Sequence, residues 1–463
     1  MRLATLFAAV LALATFCLAV VLPSADPDTY WHLASAKWMV EHGQLLTRDP
    51  FSSTAAGVPY SVGEWGGELV WYASYLAAGW AGIAVLRAVV VALATFFTAK
   101  LVLLVQPRPL FAIAPLLAAL AIGKTTWTDR PQLFTLAFFA AFCYALFRVR
   151  FGAAPRTLWL LPPLLLLWTN LHAGYAVGLA LIALFTFEAI LRRAGTWRTL
   201  LAVLVAGAVA AMLNPEAFGP LGVAAHVANP PRFIAEELPP DVFTPQGFTF
   251  AALLVAALAG AALGGVRPLI WPILLVPLIW LGLSAQRHLP LAAIPLAAFV
   301  ADAAPRAVAQ LWPAALRATP GDPRLSRPLA AGVLIAATLF ATTVAISFAP
   351  RAPDTSAYPA GALAALRAAP RELLNEYDWG GYLIWNAPEH PVFIDGRIFV
   401  FLPAAFDDYR RLVELRPDFR AVLDARHVQA VLLRPDRPLV GYLRDAGWIV
   451  LAQDATFALL RRP

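Results

Sequence analysis

Charge is what this sequence has least of: only 14% of its 463 residues are Asp, Glu, Lys or Arg, against 60% hydrophobic. A soluble fold of this length has no interior large enough for so much apolar surface, so lipid must cover the remainder. Cysteine is nearly absent. The two present, Cys17 and Cys143, lie inside apolar runs, where a small buried thiol is common and a structural disulfide is not. A clustered basic face is also missing. The formal charge is +7, but the arginines are scattered between apolar spans, which argues against nucleic acid as a partner and for a lipid bilayer. Long apolar runs are lacking only at the end: from Arg351 to Pro463 charges are frequent and Pro and Gly interrupt every run.

The rest of the chain is rich in such runs. Hydropathy places helices near 3–22, 83–105, 109–123, 132–148, 157–169, 174–191, 199–213, 247–264, 268–285, 289–304 and 328–348. The first reads as an uncleaved membrane helix, because no small-residue cleavage site precedes Pro23. The expectation is an all-α polytopic membrane domain of about eleven transmembrane helices over residues 1–349. A small α/β extracytoplasmic domain follows over 350–463, with helices at 404–415 and 437–446 between short β-rich runs.

Residues 64–80 are apolar but carry two carboxylates, Glu64 and Glu68. Counting them as interfacial brings Arg108, Arg148, Arg150, Arg156, Arg192, Arg193, Arg198, Arg267 and Arg306 to one side, which is then cytoplasmic, as is the N-terminus. All seven histidines then face outward, and of the acidic residues only Glu188, Asp302 and Asp322 stay near the cytoplasmic side.

The outer connections hold the polar groups. The first reads Ser24-Ala-Asp26-Pro-Asp28-Thr-Tyr-Trp-His32, with helical spacing over Tyr30–Glu41 that fits a helix lying in the interface. Carboxylates set just above a rigid helix end can serve as a general base or hold a divalent cation, and Asp28 can equally cap the interfacial helix. Further on come Lys124, Asp129, Arg130 and Gln132, then Asn170 and His172 in a tight turn, Asn214-Pro-Glu216, and Gln286-Arg287-His288. Singly these are helix-end residues; together they line an outer cavity. Lys124, Arg130 and Arg287 form a cationic set suited to a lipid phosphate. The Pro-rich loop 214–246 has the length of a lid or of a plain connector. Pro162-Pro163 marks a candidate broken helix, as a transporter would carry.

The ordered motifs Asp26-Pro-Asp28-Thr-Tyr-Trp-His32, Thr47-Arg-Asp49-Pro-Phe-Ser, Glu64-Trp65, Arg130-Pro-Gln132, Asn170-Leu-His172, Asn214-Pro, Tyr377-Asp-Trp-Gly-Gly-Tyr382 and Ile394-Asp-Gly-Arg397 resemble bacterial membrane proteins related to the clade C glycosyltransferases. That superfamily includes protein O-mannosyltransferases, aminoarabinose transferases and oligosaccharyltransferases. The resemblance implies an inverting glycosyltransferase that takes sugar from a polyprenyl-phosphate carrier to an envelope glycan, lipid or protein acceptor outside the bacterial inner membrane. It puts Asp26 or Asp28 in the role of base or ligand of Mg or Mn, with His32, Asp49 and Glu64 beside them. Lys124, Arg130, Gln132, Asn170, His172, Asn214, Arg287 and His288 would surround the substrate. Members of the family often carry a His before the Glu-Trp pair, where this chain has Gly63. No Asn-x-Ser/Thr sequon and no nucleotide-sugar motif occurs, so nothing points to a cytosolic donor. The competing class is non-enzymatic: a lipid or polysaccharide translocator, or an envelope-assembly partner.

Overall fold

The computed structural model describes residues 3–24, 26–61, 63–217, 235–312 and 325–463. By contacts the chain divides into two compact units: Met1–Leu22 with Ala81–Pro350, and Pro23–Trp80 with Arg351–Pro463. The expectation had left residues 23–80 with the membrane helices, next to which they fall in the chain. Their contacts group them instead with the tail.

In the first unit every one of the eleven expected segments is helical. Among the described residues seven helices are long and apolar enough to cross a membrane; Tyr175–Leu191, Trp197–Ala211 and Ile270–Ser284 are shorter apolar helices. The chain is a polytopic membrane protein. Its outermost helix, Arg327–Phe348, leaves Leu339, Phe340, Ile346 and Phe348 more than 60% exposed, which is affordable only against lipid. Pro162 and Pro163 fall at the first positions of the helix Leu161–Leu171, after a 3-10 turn over Pro155–Leu160. Proline is well placed at a helix start, so this pair does not break a span.

Side chains knit the connections at the two ends of these helices into separate groups. At one end Lys100 Nζ meets Thr5 Oγ1 at 2.8 Å, Arg150 meets Glu188 at 2.9 Å, and Arg306 meets Asp302 at 3.1 Å. The two acidic residues placed there by the sequence thus each face an arginine; Asp322 lies outside the described residues. At the other end are the connections around Asp129, His172, Asn214, Glu237 and Arg287, described below.

Trp65–Val105 is hydrogen-bonded as one helix of 41 residues, but Ala78 (φ −150°, ψ 20°) and Gly79 (φ 59°, ψ −143°) are not helical. At 1.5 Å per residue an unbroken helix of that length would reach about 60 Å, twice the hydrocarbon thickness. The break leaves 80–105 as the apolar span and makes 65–77 a separate element of the second unit, as the carboxylates Glu64 and Glu68 require.

The second unit combines the expected interfacial helix, Pro27–His42, with a four-stranded sheet. The strands are Leu373–Asn375 (β1), Ala430–Leu433 (β2), Ile449–Gln453 (β3) and Ala458–Arg461 (β4), in the order β1-β2-β4-β3. Strands β1 and β2 are parallel and the other pairs antiparallel. Helices Ala404–Val413 and Pro438–Asp445 lie within the expected stretches 404–415 and 437–446. Tyr377–Tyr382 departs from the β-rich reading: it forms a 3-10 turn and then the helix Gly380–Asn386. Glycine permits this because the helix packs on Pro27–His42. A Cβ on Gly381 would come 2.6 Å from Pro27 O, and one on Gly380 2.2 Å from Ile394 O. Tyr30, Trp80, Tyr358 and Tyr382 close the core with edge-on and stacked rings 4.9–5.5 Å apart. Backbone pairing of Phe51 and Ser53 with Val392, at 3.0 and 2.9 Å, joins loop to tail.

Candidate active site

Each unit carries its own constellation of sequence-predicted residues. In the second unit Asp26, not Asp28, is the N-cap of Pro27–His42: its Oδ1 accepts from Asp28 N at 3.0 Å, and Pro27 occupies the first turn. The Asp28 carboxylate is therefore released from capping. Its Oδ1 accepts from Trp31 Nε1 at 2.9 Å, and Gly396 of the tail comes so near that a Cβ there would lie 2.0 Å from the same oxygen. Asp28 stands in the first helical turn, where the aligned peptide dipoles favour the ionised carboxylate.

His32 lies one turn further on, on the same face as Asp28. It is buried, with Nδ1 at 3.1 Å from Glu68 Oε1 and Nε2 at 4.0 Å from Glu64 Oε2. Glu68 was not among the expected site residues, since it falls in the ambiguous stretch 64–80; its signal was a carboxylate in an otherwise apolar helix face. It lies before the break at Ala78–Gly79, outside the apolar span. Burial first, and the neighbouring Glu64 second, hold its carboxyl well above the usual range, against the pull of Arg397.

Asp49, expected at the substrate, is buried in a triad with Arg397 and Asp395. Arg397 Nη1 reaches Asp49 Oδ1 at 2.6 Å, while its Nε and Nη2 hold Asp395 at 2.9 and 2.6 Å. Phe51 N also donates to Asp49, at 3.2 Å, as does the Ser52 hydroxyl. Phe51 and Tyr60 cover the guanidinium face at 5.0 and 5.5 Å. Every charge here is partnered, as burial demands.

In the first unit the polar end is held by two kinds of contact. Arg87 is a cation within an apolar span, with no local signal in the sequence of what it meets. Fully buried, it grips both oxygens of Asp129 at 2.9 and 3.0 Å, and its Nε caps the first helix at Ala19 O, 3.2 Å away. Asn170 donates to Leu213 O at 3.3 Å and Asn214 to Thr169 O at 2.9 Å, so this pair, expected at the substrate, ties helix ends together.

The cationic set lies at the same end. Arg130 is 3.5 Å from Glu236, and Arg287 pairs with Glu237. Those carboxylates belong to the long loop 214–246, of which residues 218–234 lie outside the described residues. His172 Nδ1 takes hydrogen bonds from Gly174 N at 2.9 Å and Thr135 Oγ1 at 2.7 Å, which leaves the proton of the neutral ring on Nε2. Burial and then the Arg287 cation push this imidazole down to about 3. His288 adjoins Arg287, its Nε2 3.4 Å from Arg287 Nε. Gln132 is half-buried at the start of its helix, and Lys124 is exposed at the end of Pro109–Gly123.

Mg or Mn at Asp26 and Asp28 finds no ligand set built for it. Among the described residues no three His, Cys, Asp or Glu side chains gather as metal ligands do. His32 directs its two nitrogens to two different carboxylates, and Asp26 is committed to the helix cap. Water and substrate oxygens would have to supply most of the shell, and no step is routed through a metal.

Solved structures share this fold. The chain is similar to the archaeal oligosaccharyltransferase AglB from Archaeoglobus fulgidus, solved in complex with an inhibitory peptide and a dolichol-phosphate: 13% identity, TM-score 0.59, over 93% of this chain and 69% of that one. It is similar also to ArnT from Cupriavidus metallidurans bound to undecaprenyl phosphate: 14% identity, TM-score 0.53, over 98% of this chain and 97% of that one. No family model matches the sequence, and no curated protein matches it significantly. At such identities the likeness establishes the fold.

Proposed function

We propose that this protein is an inverting glycosyltransferase of the inner membrane, moving a sugar from a polyprenyl-phosphate carrier to an envelope acceptor on the extracytoplasmic side. The N-terminus is then cytoplasmic and the tail extracytoplasmic. The observation that carries the reading is the fold shared over 98% of the chain with ArnT bound to undecaprenyl phosphate. The polar end of the helices and the place of Asp28 in the first turn of its helix support it.

Asp28 acts as the general base. It takes the proton from the acceptor hydroxyl as that oxygen forms its bond to the anomeric carbon; the bond from that carbon to the phosphate oxygen breaks, and its electron pair leaves with the polyprenyl phosphate. At the polar end of the helices Arg130 and Arg287 suit a lipid phosphate. Asp26 has the structural part, the helix cap.

Replacing each aspartate by Asn, and measuring transfer from a labelled polyprenyl-phosphate sugar in proteoliposomes, tests this. Asp28→Asn is expected to lose on the order of 100-fold or more in rate, the usual weight of a general base. Asp26→Asn should keep most activity, because Asn caps helices as well as Asp. Full activity in Asp28→Asn sinks the base assignment. Labelled lipid that crosses the bilayer with its sugar still attached would mark a translocator instead.

A further inference from the structure

Four buried or half-buried carboxylates share one corner of the second unit: Asp49, Asp395, Glu64 and Glu68. Arg397 is the guanidinium among them, and Asp49 and Asp395 occupy its donors. Tyr60 lies there too, neutral, within the field of Glu64, Glu68 and Arg397. Asp28 stands one helical turn before His32 on Pro27–His42. Glu68 is 2% exposed and its Oε2 has no hydrogen-bond partner among the described residues. A buried carboxyl so placed is far from satisfied as an anion unless a cation stands beside it. Arg397 acts on Glu68 from a distance, and the group in contact with it is His32, whose Nδ1 is 3.1 Å from Glu68 Oε1.

The geometry goes further than pairing. His32 Nε2, on the opposite edge of the ring, faces Glu64 Oε2 at 4.0 Å, and the Glu64 side chain is 29% exposed. The three groups make a line from a sealed carboxyl, through an imidazole, to one that reaches solvent. Such an arrangement moves a proton outward without exposing the ring.

We infer that His32 relays the proton released by sugar transfer, with Glu68 as its positioning residue and Glu64 as the exit to water. The step rests on the glycosyltransferase reading. The base that accepted the acceptor's proton must lose it before the next turnover. The proton passes to neutral His32, giving an imidazolium held between two carboxylates, then to Glu64 and to water; only O–H and N–H bonds form and break. His32 and Glu68 do not touch the sugar, so their variants should lower kcat and leave KM for the lipid donor unchanged.

The test uses the full-length protein in proteoliposomes. Glu68→Gln keeps the shape of the contact but removes the group's capacity to ionise beside an imidazolium. Transfer should slow by about ten-fold in kcat, near the lower end of acid-base effects, and the acid limb of the pH-rate profile should move to lower pH. His32→Gln should flatten that limb. A second readout needs no turnover. The Trp31 ring lies 3.5 Å from the His32 ring, so imidazolium should quench its fluorescence, isolated as the difference between the protein and its Trp31→Phe form. The quench midpoint should fall in Glu68→Gln. A midpoint and pH-rate profile unmoved by Glu68→Gln overturn the relay, even if less protein folds. A shifted midpoint with wild-type kcat also overturns it, leaving a merely structural pair. Wild-type protein that transfers no sugar at all, while the midpoint still shifts, overturns the glycosyltransferase reading and takes the relay's catalytic role with it.

Discussion

Gly396 and Asp28, 368 residues apart in the chain, are in such close contact that the smallest side chain on the glycine would come 2.0 Å from the aspartate's Oδ1. The tail thereby fixes where the carboxylate can point. Gly396→Ala must turn Asp28 off its hydrogen bond from Trp31 Nε1. Because misplacing a reacting group by about 1 Å can cost on the order of 100-fold in rate, transfer should fall by that order while helix content and membrane insertion stay unchanged. Trp31→Phe, which removes the donor but leaves the carboxylate room, should lose less. Initial rates in proteoliposomes, with circular dichroism as the control for folding, decide it; wild-type turnover in Gly396→Ala would show that Asp28's position is immaterial.

The buried triad Asp49–Arg397–Asp395 predicts a stability effect rather than a kinetic one. Arg397→Leu leaves two carboxylates in the core without their cation, at a cost of about 3–5 kcal/mol. Arg397→Lys keeps the charge but loses the fork that holds both oxygens of Asp395, and should fall between. Loss should appear as earlier tryptic cleavage within 351–463 and a lower unfolding midpoint in detergent. Unchanged protease resistance in Arg397→Leu would place the triad outside the stability of the unit.

His172 makes a prediction about acid. Its folded value of about 3 lies below the ordinary 6.5, so the fold favours the neutral ring. Between those values an unfolded chain binds a proton that the folded one refuses. The stabilisation is therefore complete above 6.5 and is lost progressively as pH falls toward 3. His172→Asn should flatten the decline in thermal midpoint across that window and leave the neutral-pH activity profile with no missing limb. A decline of unchanged steepness in His172→Asn would assign the acid sensitivity to other groups.

The membrane helices were legible because their driving force is written locally: a run of apolar residues long enough for lipid folds as a helix whatever surrounds it. The alternation of their polar ends followed from the same count. Arg87 was not legible, since one letter in an apolar run does not say that Asp129 and the first helix's carbonyls are waiting for it. Nor was the joining of the loop 23–80 to the tail. Arg397 meets Asp49 across 348 positions, a separation that leaves no periodicity to read. The glycines of Tyr377–Tyr382 and Asp395-Gly-Arg397 carried a trace of it: glycine where a helix or turn gains nothing locally implies another backbone close by. Asp26 caps the helix where Asp28 was the expected cap, for a simpler reason. Which of two aspartates caps a helix depends on where the helix starts, and Pro27 sets that start.

Gly79 tests whether the break before the apolar span is built in. Its φ of 59° and ψ of −143° lie in a region that side chains other than hydrogen rarely enter. No atom lies within 4 Å of where a Cβ would be, so a substitution there meets no steric obstacle beyond its own backbone. Gly79→Ala should therefore destabilise by about 1–3 kcal/mol purely through conformation. Ala78→Gly, at a φ of −150° open to any residue, should change stability far less. Since Glu64 and Glu68 precede the break, a chain that relieved the strain by continuing the helix through 78–79 would also turn both carboxylates away from His32. The two consequences separate by measurement: the unfolding midpoint reports the strain, and the Trp31 quench midpoint reports the pairing. A Gly79→Ala protein matching wild type in both would mean that the two helices are parted by their surroundings and not by this glycine.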